Sequence, residues 1–411
     1  MQVRTLWLTD FRSYTSTQLD LAPGLTAVVG ANGEGKTNLL EALAWLATLS
    51  SFRGAPTDAL VRWGAPFAVV RALAEREGRE LLVEAQLQAN GRNRVLVNRQ
   101  PLRRARDLLG SLRVSVFSPD DLGIVKDGPG ERRRFLDDAL VSLHPRNDAL
   151  RSAVDKVLRQ RNALLRQTGG RLDESTAFTL DVWDAKLAEA GAALAATRLD
   201  LLDLVGPVLA ATYDALARRP ARVEARYEAA WAGSPAALPD DPAVGAGNGA
   251  IAAPGAPTTG PAAAPPGPPG AARASLGTDT RRGALTTALA DALAAARTED
   301  VRRGVSTVGP HRDELALSIG GAPARTQASQ GEQRTLALAL RLAAHHVVTA
   351  EAGSPPVLLL DDVFSELDPE RSAALLAHLP AGQTLLTTAS GLPPDAHPER
   401  VLHIVDHVIR S

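Results

Sequence analysis

The sequence predicts an α/β fold in which both ends of the chain build one parallel-rich domain, with a mainly helical segment inserted between them. Three observations carry this. Short apolar runs of strand length alternate with turns up to Phe117; helical periodicity takes over from about Glu131; strand and helix alternate again after Val357. The expected segments are 1–122 and 276–411 for the two parts of the α/β domain, 123–231 for the helical insertion and 232–275 for a linker.

In chain order, Met1 to Trp7 reads as a first strand and not as a signal peptide, because a long apolar stretch and a cleavage site are both missing. Leu25 to Val29 is an apolar run fit for a buried strand, and Thr37 to Leu43 reads as the helix after it. Val69–Leu73, Leu81–Leu87, Arg94–Val97 and Arg113–Phe117 have strand character, with Asn90-Gly91 a hairpin signal. Leu136, Ala139, Leu140 and Leu143 recur at helical spacing, and helical patterns fill 147–167 and 177–217, as in an antiparallel helical arm or subdomain. Residues 232–274 are dominated by Pro, Gly and Ala, with no charge between Pro242 and Ala272, and read as a disordered linker or long insertion loop. Beyond it come a helix over 284–298, a short strand region around 305–319 and a helix over 331–350. The chain closes with a strand at 357–360, a helix at 369–379 and strands at 384–388 and 401–405.

Composition narrows the possibilities. The 411 residues suffice for two or three domains, and 45% hydrophobic with 22% charged residues is ordinary for a soluble globular chain. No apolar run approaches membrane-spanning length, so no membrane partner is expected. Cysteine is absent, which excludes disulfides, thiolate metal sites and cysteine nucleophiles, and agrees with a cytoplasmic location. Net charge is −1, yet Arg92 to Arg134 holds eleven Lys/Arg against five Asp/Glu, a basic stretch suited to a polyanion.

The segment Gly30-Ala31-Asn32-Gly33-Glu34-Gly35-Lys36-Thr37 has the full phosphate-loop spacing between a predicted strand and helix. Backbone N–H groups of such a loop surround a phosphate, and the helix N-terminus adds partial positive charge. Lys36 would reach the β/γ-phosphates and the Thr37 hydroxyl would hold Mg²⁺. Val357 to Asp362 is a buried strand ending in two carboxylates. Asp361 would hold Mg²⁺ through water, and Asp362 would orient or deprotonate an attacking water. Ser329-Gln330-Gly331-Glu332-Gln333-Arg334 opens the helix that follows: Ser329 and Glu332 have capping-box spacing, and Gly331 allows close approach of a ligand. Asp368 is an N-cap with Pro369 behind it.

These four segments together resemble the head domain of ABC-type ATPases, in the SMC-like DNA-repair group, and within it the RecF family. Leu8 to Tyr14, Asn32 to Ala42, Phe117 to Leu122, Arg133 to Asp137, Gly309 to Asp313 and Leu359 to Asp368 are all similar to that family's pattern, which spans nearly the whole chain except the linker. The resemblance implies an ATP-dependent homodimer, head to head over two ATP molecules. Ser329, Gln330, Gly331 and Gln333 of one protomer would face the nucleotide held by Lys36 and Thr37 of the other. Arg12 would lie near the nucleotide, and Asp368 would couple the two sites. It further implies action at single-strand/double-strand junctions of gapped DNA, cooperation with RecR and help in loading RecA.

The chain departs from the wider ABC pattern in two places. No Gln occurs from Pro101 to Arg159, so the usual Gln loop is missing and Phe117–Leu122 stands as its candidate replacement; after Thr384–Thr388 comes Ala389-Ser390 with no switch His. Both absences favour a slow ATP switch, with slow DNA-stimulated hydrolysis as the expected activity. Competing readings are a transporter-type ATPase subunit, disfavoured by those same departures, and a non-hydrolysing nucleotide-gated interaction protein. Candidate phosphate-backbone contacts are Arg92, Arg94, Arg99, Arg103, Arg104 and Arg106, with Arg132-Arg133-Arg134 second. With 4% aromatic residues, backbone and shape recognition fits better than base stacking. Neither His311-Arg312-Asp313 nor His345-His346 has the geometry for an acid–base or zinc site, because adjacent residues point in different directions.

Overall fold

The computed structural model describes residues 1–217, 219–233, 271–389 and 391–410; most of the expected linker, 234–270, and Ser390 lie outside them. The chain divides into two compact units, residues 1–152, 201–228 and 313–411 in one, and 153–200 and 229–312 in the other.

The first unit contains β1 (Gln2–Phe11), β2 (Tyr14–Asp20), β3 (Leu25–Gly30), α1 (Lys36–Thr48), β4 (Phe67–Arg76), β5 (Arg79–Gln88), β6 (Arg94–Val97), β7 (Gln100–Pro101) and β8 (Val114–Phe117). After these come α2 (Gly123–Lys126), α3 (Pro129–Leu143) and the start of α4 (Asp148–Gln167). The chain returns to this unit within α5 (Glu174–Leu216) and continues through β9 (Val223–Glu228). Then follow, after the helix α6 (Ala271–Arg303) of the other unit, β10 (Glu314–Ile319), β11 (Ala322–Pro323), α7 (Ala324–Gln327), α8 (Gln330–Ala352), β12 (Val357–Asp361), α9 (Pro369–Ala377), β13 (Thr384–Thr388), β14 (Arg400–Val405) and β15 (Val408–Arg410).

These strands form three sheets. One has the order β15-β14-β3-β13-β12-β8 and is parallel except for its edge β15. Its central strands β12 and β13 are buried along their whole length, as strands covered on both faces must be, and their sequences are accordingly apolar or threonine-rich. The second, β2-β1-β4-β5-β6-β7, is antiparallel. Here alternate residues of β4 are buried, so one face meets the core and the other stays accessible. Glu77 and Gly78, both at positive φ, make the two-residue β4–β5 turn. A third sheet, β11-β10-β9, pairs β10 with a strand far earlier in the chain, Leu315 opposite Tyr227.

The α/β domain built from both chain ends thus carries, beside its parallel sheet, a separate antiparallel layer of β1, β2 and residues 67–101. Helix α1 lies between it and the parallel sheet. Leu39, Leu40, Leu43 and Trp45 of α1 share one core with Leu6, Val70 and Val83 on one side and Val28, Leu359 and Leu385 on the other. A helix apolar on every face is stable only when enclosed in this way. Gln383, 2% exposed, ties the layers by accepting from Val3 N at 2.6 Å and donating to the carbonyls of Val3 and Ala22.

The boundary of the first unit falls after residue 152, beyond the expected 122, because α3 belongs to this unit. Phe135, Leu136 and Leu140 are buried, and the Arg132 guanidinium forks onto Glu314 at 2.6 and 2.8 Å. Residues 201–228, expected within the helical insertion, also belong here. The strand region expected at 305–319 shortens to β10, since 304–313 is turn.

The second unit is helical, built from α4, α5 and α6. Its centre is polar: Arg161, fully buried, pairs with Asp184 and Asp300 at 2.6 Å each and donates to Ser306 Oγ. Leu165, Leu180 and Val301 pack beside them. Gly191 lets α5 approach Leu289 of α6, where a Cβ would stand 2.6 Å from the leucine methyl. No helix among the described residues is long and apolar enough to cross a membrane.

Candidate functional site

β3 ends at Gly30, and residues 31–35 carry the chain into α1. Gly33 and Gly35 sit at φ +90° and +97°, where only glycine is unstrained. At Gly35 space is also short: a Cβ would lie 2.7 Å from Ser13 Oγ and 3.1 Å from the Tyr14 hydroxyl, which donates to the Gly35 carbonyl. Gly30 is glycine for another reason, since a Cβ there would meet the Ile404 carbonyl of β14 at 2.7 Å. Helix α1 begins without a side-chain cap and without an acidic residue in its first turn. Its first N–H groups and their partial positive charge are thus left for an anion.

Lys36, 6% exposed, is held inside the loop and donates to the carbonyls of Gly30 and Ala31 at 2.7 and 2.8 Å. Burial lowers its pKa, opposed by the carboxylates of Asp362, Asp361 and Glu34. Thr37, one residue on, donates from Oγ1 to Asp361 Oδ1 at 2.9 Å. The same carboxylate oxygen accepts from Thr387 Oγ1 at 2.8 Å. Burial raises the Asp361 pKa, while those two hydroxyls oppose the rise; Asp362 adds to it and the Arg53 charge counters it. Asp362 adopts the left-handed conformation, φ 47°, a strained setting for a non-glycine residue. Its N–H donates to Thr387 Oγ1 at 3.0 Å, and its Oδ1 accepts from Ala389 N at 3.4 Å. Lys36, Thr37, Asp361 and Asp362 thus converge from β3–α1 and β12, and Thr387 of β13 joins them.

Sequence reasoning missed Thr387. The available signal was the threonine-rich strand 384–388 itself. Glu41 was missed as well. It is fully buried on α1, and Arg12, at φ 51° in the β1–β2 turn, forks onto it at 2.8 and 2.7 Å. Arg12 also donates to the Ala59 carbonyl, so its guanidinium is engaged by the protein beside α1. At the loop tip Glu34 accepts from His407 N at 3.0 Å, which joins the β14–β15 turn to the phosphate loop.

A second group forms at the start of α8. Ser329 and Glu332 make the expected capping box, the serine hydroxyl donating to Glu332 Oε2 at 2.7 Å. Gln330 is exposed. Gln333 turns inward, 5% exposed, and donates to the carbonyls of Ala324 and Arg325, so its amide holds α7. Asp368 caps α9 through Arg371 N at 3.0 Å and pairs with the Arg371 guanidinium at 2.7 Å. That guanidinium lies against Gly331, where a Cβ would stand 2.9 Å from both of its terminal nitrogens. The Phe117–Leu122 segment is fixed to α8 by an ion pair from Arg341 to Asp121 at 2.6 Å.

Arg92, Arg94, Arg99, Arg103, Arg104 and Arg106 are all exposed along the β6–β7 edge of the antiparallel sheet and the turn after it. Arg106 pairs with Asp148 at 3.7 Å. The second basic candidate is largely spent on the fold: Arg132 is buried against Glu314, Arg133 donates to the Asp313 carbonyl, and the exposed Arg134 pairs with Glu131.

Residues 2–387 match the family described as the RecF/RecN/SMC N terminal domain. The "DNA replication and repair protein RecF" of Beutenbergia cavernae is 42% identical over 401 residues, 95% of this chain and 94% of its own. That of Streptomyces avermitilis is 43% identical over 397 residues, with the same coverage. A solved structure of the recombination mediator protein RecF-ATPrS in the RecFOR pathway superposes with a TM-score of 0.82 at 26% identity, covering 99% of this chain and 97% of that one. An Smc head bound to the C-winged helix domain of ScpA shares the fold, at a TM-score of 0.52 and 16% identity over 100% and 96% of the two chains. The two packed sheets, the loop before α1 and the carboxylate-ended β12 thus define an ABC-type ATPase head of the SMC-like kind. Within that class, the chain belongs to the RecF family.

Proposed function

We propose that this chain is an ATP-gated DNA-binding protein of recombinational repair and replication restart. It dimerises head to head around two ATP molecules on gapped or junction DNA and helps load RecA. The observation that carries the reading is the convergence of Lys36, Thr37, Asp361 and Asp362 around the uncapped start of α1. The family relatives named for DNA replication and repair, and the solved RecF structure named with ATPrS, support it. The naming of that structure within the RecFOR pathway supports RecR as a partner. The absence of cysteine supports a cytoplasmic setting.

In this reading Lys36 and the N–H groups of residues 33–37 bind the β/γ-phosphates, and Arg12 braces α1 through Glu41. The hard oxygens of Thr37 and Asp361 fit Mg²⁺, which takes one or two protein ligands and completes its shell with phosphate and water. The ion would neutralise charge on the phosphates. Asp362, held by Thr387 and Ala389, orients the attacking water and accepts its proton. Ser329, Gln330 and Gly331 of one protomer cover the nucleotide of the other. Neither a Gln loop nor a switch His assists, so turnover is slow and the ATP-bound dimer persists.

The test is fluorescence anisotropy of a gapped duplex at fixed salt, with ATP, with ADP and without nucleotide. Tighter binding with ATP alone, lost in Lys36→Met and prolonged in Asp362→Asn, is the expected result. Equal weak binding in all three conditions overturns the reading.

A further inference from the structure

We infer that Arg371 is a positioning residue that ties the first turn of α8 to the Asp368 turn, so that these two segments move as one body. The inference concerns a residue outside the sequence motifs. Its consequence for ATP turnover rests on the head-to-head reading above.

Three observations meet at this side chain. First, Asp368 engages Arg371 twice, through the backbone N–H at 3.0 Å and the guanidinium at 2.7 Å. The second contact outlasts any local capping need, which the first alone satisfies. Second, both terminal nitrogens would lie 2.9 Å from a Cβ on Gly331, and Cζ 3.2 Å from it. Gly331 sits inside α8 with no positive φ to demand glycine. The space that its missing Cβ leaves is filled by the guanidinium. Third, the hydrogen bonds from Ser329 hold the Glu332 carboxyl below the usual range, and the nearby Arg371 charge adds a smaller share in the same direction. A line of contacts therefore runs from Ser329 through Glu332 and Gly331 to Arg371 and Asp368. The planar fork is needed for it, because its two terminal nitrogens reach Gly331 together while one of them also bonds the Asp368 carboxylate; a lysine ammonium cannot do both.

The experiment is amide hydrogen exchange on the full chain, read at residues 330–334 and at α1, for the parent, Arg371→Ala, Arg371→Lys and Gly331→Ala. Sedimentation velocity with and without ATP accompanies it. Exchange at 330–334 should rise about tenfold in Arg371→Ala, stay high in Arg371→Lys, and leave α1 unchanged. Gly331→Ala should displace the guanidinium and raise exchange likewise. Gly331→Ala combined with Arg371→Ala should exchange no faster than Arg371→Ala alone, a non-additivity that independent structural damage would not give. In Arg371→Ala, ATP affinity of the protomer should stay within about twofold while ATP-dependent dimerisation falls about tenfold. Unchanged exchange at 330–334 in Arg371→Ala, or additive effects in the double variant, overturns the inference whatever the nucleotide does. Raised, non-additive exchange in a parent that fails to dimerise with ATP upholds the tie and overturns the head-to-head reading. If Arg371→Ala fails to fold, Gly331→Ala and Arg371→Lys carry the same comparison.

Discussion

Thr37 and Asp361, 324 residues apart in sequence, are joined by a 2.9 Å hydrogen bond. The bond holds a buried carboxylate whose pKa burial has raised. A raised pKa means that the native state holds its proton to higher pH than the unfolded chain does. Stability is therefore lost as pH rises from the ordinary carboxylate range through the raised value, and at pH 7 the charge is a cost. Asp361→Asn should raise the melting temperature of the nucleotide-free protein at pH 7 by about 2 °C. The gain should shrink toward pH 4, and Mg-dependent ATP affinity should fall. Thermal scans from pH 4 to 8 check the sign; a variant less stable at pH 7 contradicts it.

His345 sets the opposite slope. It is buried on α8, its Nδ1 lies 2.9 Å from Ser115 Oγ, and burial, helped by His346, pushes its pKa down to about 4. The unfolded chain takes up this proton near pH 6.5 and the native chain does not, so stability drops as pH falls from there toward 4. His345→Gln should lose about 2 kcal/mol less stability than the parent between pH 7 and 4.5. Urea titrations at the two pH values measure the difference.

Arg161 anchors the helical unit. Removing it leaves Asp300 buried without its cation, while Asp184 keeps Arg297 at 2.6 Å. Arg161→Met should cost roughly 3–5 kcal/mol, most of it recovered when Asp300→Asn is added. Fluorescence of Trp183, in the same unit, follows the unfolding.

The exposed arginines of the β6–β7 edge are expected to contact phosphates. Arg92, Arg94, Arg99 and Arg103 form no ion pair among the described residues, whereas Arg106 already faces Asp148. Each of Arg94→Ala, Arg99→Ala and Arg103→Ala should lower the slope of log affinity against log salt by about 1. Arg106→Ala should change it less. Identical slopes for all the variants and the parent would move the DNA surface elsewhere.

The strands β3, β12 and β13 and the helices α1 and α8 were legible because their signals are local: unbroken apolar runs, a capping box, a glycine-rich loop. The β9–β10 sheet was not, because β9 is a six-residue strand whose partner lies far along the chain, and nothing near it announces the pairing. The site divides in the same way. Lys36, Thr37 and Asp361 stand in spaced motifs. Thr387, Glu41 and Arg371 are common residue types that acquire a role only from what the fold sets beside them. Residue type misleads in the other direction too: Arg132 and Arg133 look like anion ligands, yet their guanidiniums face Glu314 and the Asp313 carbonyl.

The pairing of β3 carries a consequence for biosynthesis. Leu25 sits opposite Thr384, and Thr26 opposite Arg400. The phosphate-loop strand thus leaves the ribosome long before both of its neighbours. At roughly 5–20 residues per second, it waits about 20–80 s with both edges unpaired. Over that interval α1 has no parallel sheet to rest on, and nucleotide cannot rescue the nascent chain by binding. Growing chains therefore depend on being kept apart from one another until β13 and β14 arrive, and a premature stop anywhere before Thr384 releases a product with an adhesive edge and no site.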